Sequence, residues 1–449
     1  MKDHAQVVII GGGIVGCSVL YHLATLGWQD ILLIEQDELS AGSTWHAAGS
    51  FSRFDMLPNL IRLRNDSLRL YDQLATAGEH PFEIHRTGGM ILATDEQRLQ
   101  ELKLRTGLGR SLGMPHVLLS RHEVSAHHPL TDTTGIVGGL YDPLAGHVDP
   151  AGLTHALAQG AMKHGGSISE RTKVIAMSEE ADGSWLLVTD QGEVLADVVV
   201  NAAGLWADAV ADMIGVDVPI AMIEHQYMAT DEIDEVRNID GELPSLCAPD
   251  DSYQLRHDRH GLLLRAFDDE ASSWTLEQIQ PDFGKTLLDG SPERLAQAIG
   301  DAAKRVPCLD GATFKPAVNG PLTVSPDGRP LLGPLPGFSN YFLACGFMDG
   351  LSLAGGAGKA LAEWIVEGEP PLDLFALDAT RFGEFARQSY TVATARDAYR
   401  RYYAIRFPKD DSSAGRPLKR AAIYDKLASK GAQFDAVFGW ERPCWYAEN

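Results

Sequence analysis

The chain has 449 residues, 45% hydrophobic and 22% charged, with a formal net charge of −23. That length exceeds one simple core and implies two or more packed units, while the acidic balance excludes a nucleic-acid partner, because phosphate binding needs a basic surface. No apolar stretch is long enough to span a membrane, no signal or transit peptide is evident, and Cys17, Cys247, Cys308, Cys345 and Cys444 form no Cys-x-x-Cys; the default expectation is a cytoplasmic protein without a metal site.

In chain order, "VVIIGGGIVGCSVLYHLATLGWQDILLIEQ" predicts a strand at Val7 to Ile10, a tight turn, a helix from Ile14 to Leu26 stopped by Gly27, and a strand from Ile31 to Ile34 ending in Glu35. Gly11, Gly13 and Gly16 spell G-x-G-x-x-G. Glycines there let the backbone approach a pyrophosphate at a helix N-terminus, and an acid about twenty residues on is placed to bind a ribose hydroxyl. The alternative is a glycine-rich turn without a ligand. Next comes "GSTWHAAGS", in which Trp45 and His46 stand among small residues. A helix is expected from Leu57 to Ala77 and a strand at "TGGMILATD". In "GHVDPAGLTHALAQGAMKHGG", Asp149 is an N-cap, Pro150 takes the first helical position, and Gly165–Gly166 ends the helix.

A meander follows: Val174 to Met177, Trp185 to Thr189, and Val198 to Val200 running into "NAAG". A simple NAD enzyme would continue with strand–helix units, so the meander points to FAD, with Gly204 close to the dinucleotide. Residues 217–318 alternate β-like runs with a charged helix near "SPERLAQAIGDAAKRV". They read as a substrate domain whose sheet also takes the "TGGMILATD" strand. "VSPDGRPLLGPLPGFSNYFLACGF" returns to turn and strand. "LAGGAGKALAEWIVEG" is a glycine-led helix: begun at Gly355–Gly356 it would aim its positive end at a flavin, or else its glycines permit close packing. The tail from residue 383 is polar, aromatic and ordered.

These pieces resemble the dimethylglycine and sarcosine dehydrogenases, among the glycine-oxidase-like and D-amino-acid-oxidase-like flavoproteins. The likeness rests on "GGGIVGCSVLYHLATLG", "ELSAGSTWHAAGS", "GHVDPAGLTHALAQGA", "VVNAAGLWA", "EHQYMAT", "SPDGRPLLG", "GGAGKALAEWIVEGEPP" and the tail "AGRPLKRAAIYDKLASKGAQFDAVFGWERPCWY". The resemblance implies an α/β fold, a Rossmann-like FAD-binding domain interleaved with an α+β substrate domain. Its segments would be 1–85, 145–216 and 319–382 for FAD, 86–144 and 217–318 for substrate, and 383–449 as an extension resembling the linker before a folate-binding domain.

The resemblance also implies residue roles. FAD would be held by Gly11, Gly13, Ile14, Val15, Gly16, Glu35 and Gln36, by Gly42, Ser43, Thr44 and Ala48, by Val174, Ala203, Gly204 and Trp206, and by Gly355 and Gly356. His46 would carry it covalently through the flavin 8α-methyl carbon. His225 would orient the amine or accept a proton, or simply satisfy a strand. A family tyrosine falls at Tyr253, although strict register places Gln254 there. Arg53 and Arg265 depart from the family pattern; each either binds a substrate carboxylate or lies on the surface.

The implied reaction is oxidative N-demethylation of a small N-methylated amino acid or amine, with hydride passing to flavin N5 and formaldehyde released from the iminium. The alternative is a flavin-bearing subunit, or an oxidase of another amine or betaine derivative, that needs a partner. Electron-transferring flavoprotein or a folate-binding subunit are the partners expected. Because the sequence stops at Asn449, just after "WERPCWY", the folate domain of relatives is expected to be missing, with Trp440, Trp445 and Tyr446 facing another domain or packing on their own chain.

Overall fold

The computed structural model describes residues 2–268, 271–274, 283–405 and 412–447. The chain opens with β1 (His4–Ile10), α1 (Ile14–Thr25) and β2 (Ile31–Ile34). The apolar runs of β1 and β2 are buried and pair in parallel from Val7↔Ile31 to Ile10↔Ile34, as strands covered on both faces require. α1 starts at a Gly13 N-cap that offers no side-chain hydrogen bond. Its first-turn N–H groups therefore lack an internal cap. Gly27, at φ +86°, follows the last turn, a backbone conformation that glycine adopts at little cost.

Further along come α2 (Pro58–Ala77), with proline in its first turn and Gly78 in the left-handed region behind it, and β3 (Gly192–Asn201). The predicted meander forms as Val174–Glu179, Trp185–Thr189 and β3. β3 runs parallel to β1, with Ile10 opposite Asn201. The second sheet is built from β4 (Ala221–Ala229), β5 (Tyr253–Asp258), β6 (Gly261–Ala266) and β7 (Val318–Val324). The chain then returns through β8 (Tyr341–Cys345) to α3 (Gly350–Glu367), and α4 (Gln388–Arg400) closes over the second sheet.

Two sheets result. An eight-stranded sheet orders Val174–Glu179, Trp185–Thr189, β3, β1, β2 and Ser167–Ser169, with β8 beside β3 and Leu331–Pro334 beside β8. A nine-stranded sheet orders Ser273–Trp274, β4, β6, β5, Ser245–Ala248, Gly89–Ala93, Gly138–Asp142 and Val117–Leu119, with β7 beside β4. The "TGGMILATD" strand thus joins the second sheet, as expected. β7 pairs there as well, so the return to the first sheet comes with Leu331–Pro334 and not at residue 319. The first sheet and α1, α2 and α3 share one core that includes Val7, Leu20, Leu33, Leu63, Tyr71 and Leu361. Among the described residues no helix is long and apolar enough to cross a membrane, and all five cysteines are free.

Candidate active site

One cavity extends from the G-x-G-x-x-G turn to β4 and β6. Its near wall takes in Gly11, Gly13, Ile14, Val15, Glu35, Gln36, Val174, Ala203, Gly204 and Trp206. Space there depends on missing side chains. A Cβ on Gly11, whose φ is +114°, would stand 2.4 Å from the Ala202 carbonyl oxygen, and one on Gly16 would stand 2.0 Å from the Gly11 oxygen. Gly16 therefore keeps the turn tight from behind the cavity wall. Glu35 is buried, and its carboxylate accepts hydrogen bonds from the Gly12 N–H at 2.6 Å and the Asp37 N–H at 2.8 Å. Burial raises its pKa above the usual carboxylate value, and those two N–H groups partly offset the rise.

The "GSTWHAAGS" segment runs from this turn toward the second sheet. Gly42, Ser43, Thr44, His46 and Ala48 all line the cavity. The Ile14 N–H donates to Thr44 Oγ1 at 3.2 Å. Ser43 Oγ donates to the Pro321 carbonyl at 2.7 Å and pins the segment to β7. His46 lies over Gly320 of that strand, where a Cβ would come within 2.2 Å of the imidazole. The His46 ring is buried, its Nε2 has no hydrogen-bond partner, and burial lowers its pKa to about 4. A neutral imidazole with a free nitrogen is a competent nucleophile. A glycine cradle, a held carboxylate and an orphaned imidazole nitrogen in one cavity fit a flavin dinucleotide.

The far wall is made of side chains. His225 and Tyr227 come from β4, Arg265 from β6, Phe267 from just beyond β6, and Leu322 and Thr323 from β7. Burial, with Arg265 and His46 nearby, lowers the His225 pKa to about 3, so the ring is neutral. Arg265 Nε donates to Gln254 at 2.7 Å, and its guanidinium lies 5.9 Å from the Phe267 ring centre. Its two Nη groups have no hydrogen-bond partner among the described residues. A guanidinium left this way is suited to a carboxylate.

The structure moves four residues out of the site. Tyr253 sits in the hydrophobic core of the second sheet, its hydroxyl buried without a partner. Side chains alternate along a strand, so its neighbour Gln254 is the residue that reaches Arg265. Arg53 is neither in the cavity nor on the surface: it is buried against Asp142, with Nε donating to Oδ2 at 3.1 Å. Gly355 and Gly356 do not begin a helix. α3 starts at Gly350, and a Cβ on Gly355 or Gly356 would lie 2.7 Å from Ser67 Cα or 2.1 Å from the Leu63 oxygen of α2. These two glycines serve helix–helix packing. The cavity is instead lined by Gly346 to Leu351, just before and within the first turn of α3. The sequence signal for this was "CGFMDG", where Gly346 adopts φ +73°. Lys173, Phe267 and Thr323 also line the cavity without having been singled out by any motif.

Residues 6–364 match the family described as FAD dependent oxidoreductase, and residues 367–421 match the FAD dependent oxidoreductase central domain. The chain belongs to the FAD dependent oxidoreductase family. It is 39% identical over 450 residues to the mitochondrial dimethylglycine dehydrogenase of Rattus norvegicus, covering 99% of this chain and 52% of that protein. It is 33% identical over 456 residues to the mitochondrial sarcosine dehydrogenase of Homo sapiens, covering 99% and 49%. The chain spans about half the length of these curated relatives. The L-proline dehydrogenase from P. horikoshii has the same fold, with a TM-score of 0.75 and 24% identity over 85% of this chain and 98% of that one.

Proposed function

We propose that this chain carries out oxidative N-demethylation of a small N-methylated amino acid at a flavin held covalently by His46. The observation that carries the reading is the single cavity joining the dinucleotide cradle to Arg265, a half-buried cation whose two Nη groups have no partner among the described residues. Gly11 to Val15 and Glu35 would hold the dinucleotide, and His46 would hold the ring end. Bound there, FAD supplies the two-electron acceptor for the hydride leaving the N-methyl carbon, and the iminium left behind hydrolyses to formaldehyde and the demethylated amine. Arg265 binds the substrate carboxylate and so fixes which carbon of the amine is presented. His225 and His46, neutral across physiological pH, place no additional positive charge beside the amine, whose reactive form is the neutral one.

A partner is the second reading. The hairpin of Ala432–Val437 and Trp440–Tyr446 leaves Phe438, Trp440, Trp445 and Tyr446 exposed. Large aromatic side chains exposed on one hairpin are suited to an interface, which fits a folate-binding domain or an electron-accepting flavoprotein. Anaerobic mixing with N-methyl amino acids tests the reading. Flavin absorbance should bleach with dimethylglycine or sarcosine and not with trimethylamine, which has no carboxylate. A chain that stays yellow with every N-methyl amino acid is a scaffold and not the catalytic unit.

A further inference from the structure

Tyr399 belongs to α4, in the extension read from sequence as a linker. Its side chain is fully buried and meets His225 edge-on, with ring centres 5.8 Å apart. Phe267 packs against both, at 4.8 Å from His225 and 4.9 Å from Tyr399. The Tyr399 hydroxyl lies 2.9 Å from His225 Nδ1 and makes no other hydrogen bond among the described residues. Nε2 of the same imidazole is buried and has no partner, although the residue forms part of the cavity wall.

Proton counting decides between the two tautomers. His225 is neutral, and burial raises the Tyr399 phenol well above its ordinary range, so each ring carries one proton. With that proton on Nδ1, the imidazole would donate to the tyrosine oxygen. The phenolic O–H would then be buried without an acceptor, and the Nε2 lone pair without a donor. With the proton on Nε2, the phenol donates to Nδ1 and only the Nε2–H is left over. The second arrangement leaves fewer buried polar groups unmet. A neutral N–H in the wall that also holds the free guanidinium of Arg265 calls for an anionic acceptor.

We propose that Tyr399 is a positioning residue that locks His225 in the Nε2-protonated tautomer, so that His225 and Arg265 together receive the carboxylate of the bound amino acid. The proposal rests on reading the cavity as an N-methyl amino-acid site, and it makes His225 a donor to substrate instead of a base.

Histidine labelled with 15N in the flavin-loaded chain gives the first test, with His225→Gln assigning the signals. Nδ1 should resonate as an unprotonated nitrogen and Nε2 as a protonated one, and Tyr399→Phe should mix the two forms. Acetate, titrated through its perturbation of the flavin absorbance, should bind roughly 5- to 20-fold more weakly to Tyr399→Phe, as expected for partial loss of one hydrogen bond to a charged group. Glutamine keeps an N–H donor and has no tautomer to lock. In the His225→Gln background, Tyr399→Phe should therefore leave acetate affinity unchanged. A protonated Nδ1 in the parent, or the same loss of affinity in both backgrounds, overturns the proposal. None of these readouts requires turnover of an N-methyl amine, so failure of the lock is distinguishable from failure of the demethylation reading, which flavin bleaching judges.

Discussion

At the dinucleotide end of the cavity, the turn is glycine backbone beside one carboxylate held by the N–H groups of Gly12 and Asp37. At the other end the wall is His225, Arg265 and Phe267, whose partners Tyr399, Gln254 and Tyr402 come from other elements. Gly11 and Gly16 at the first end tolerate no added bulk. The second depends on which donors and charges converge. The difference separates a site defined by local chain geometry from one defined by tertiary contacts, and it sets what each end should lose on substitution.

The largest effect is expected at the first end. Gly16→Val places a Cβ 2.0 Å from the Gly11 oxygen, a backbone atom that cannot swing away. The turn must open, and the chain should purify without FAD while keeping its far-ultraviolet circular dichroism. Full retention of yellow colour in this variant would break the comparison at its root.

That asymmetry also explains what could be read from sequence. The G-x-G-x-x-G turn and Glu35 lie in one short strand–helix–strand stretch and the meander in another, each with its own local spacing, and both form as expected. Gly355 and Gly356 were misplaced because a glycine that shortens a helix–helix contact and a glycine that begins a helix look alike in sequence. Tyr253 and Gln254 were ambiguous because one residue of register exchanges the faces of a strand. Arg53 could not be told from a ligand-binding arginine without Asp142, which lies 89 residues away. Tyr399 carries no motif at all. Its partner is 174 residues distant, and only the packing of α4 over the second sheet brings the two together.

His46 stands between the two ends, and its prediction comes next in size. Gly320→Val would drive a side chain into the imidazole, which already lies within 2.2 Å of the Cβ position. Acid-precipitated Gly320→Val should be colourless, as should His46→Ala, whereas the parent pellet should stay yellow. His46→Ala should still bind FAD without the bond, because the cradle from Gly11 to Glu35 is untouched. A yellow His46→Ala pellet would remove His46 as the attachment point.

At the far end, Arg265→Met keeps much of the side-chain volume and removes the charge. Affinity for a carboxylate substrate should fall about 10- to 150-fold, the worth of one hydrogen bond to a charged group. The change should appear in the substrate concentration needed for half-maximal flavin reduction, with FAD content unaltered. An unchanged half-maximal concentration for dimethylglycine or sarcosine would mean that Arg265 supports the wall and does not bind the carboxylate.

The smallest effect is a contrast in acid stability. Burial lowers the pKa of His46 to about 4 and of His225 to about 3. An unfolded chain takes up these protons near pH 6.5, while the folded chain resists them until the lower values. Stability should therefore fall as pH drops from about 6.5 toward 4, by roughly 1.4 kcal/mol per pH unit for each such histidine. Glu35 acts in the opposite sense. Its pKa is raised by burial, so the folded state holds its proton more tightly than the unfolded state, and acidification relieves the cost of burying the charge. Urea-unfolding midpoints between pH 7 and 5 would read both. His225→Gln should flatten the decline, since glutamine does not titrate. Glu35→Gln should steepen it by removing the one compensating group at the dinucleotide end. If both variants shifted the slope in the same direction, the electrostatic contrast between the two ends of the cavity would be wrong.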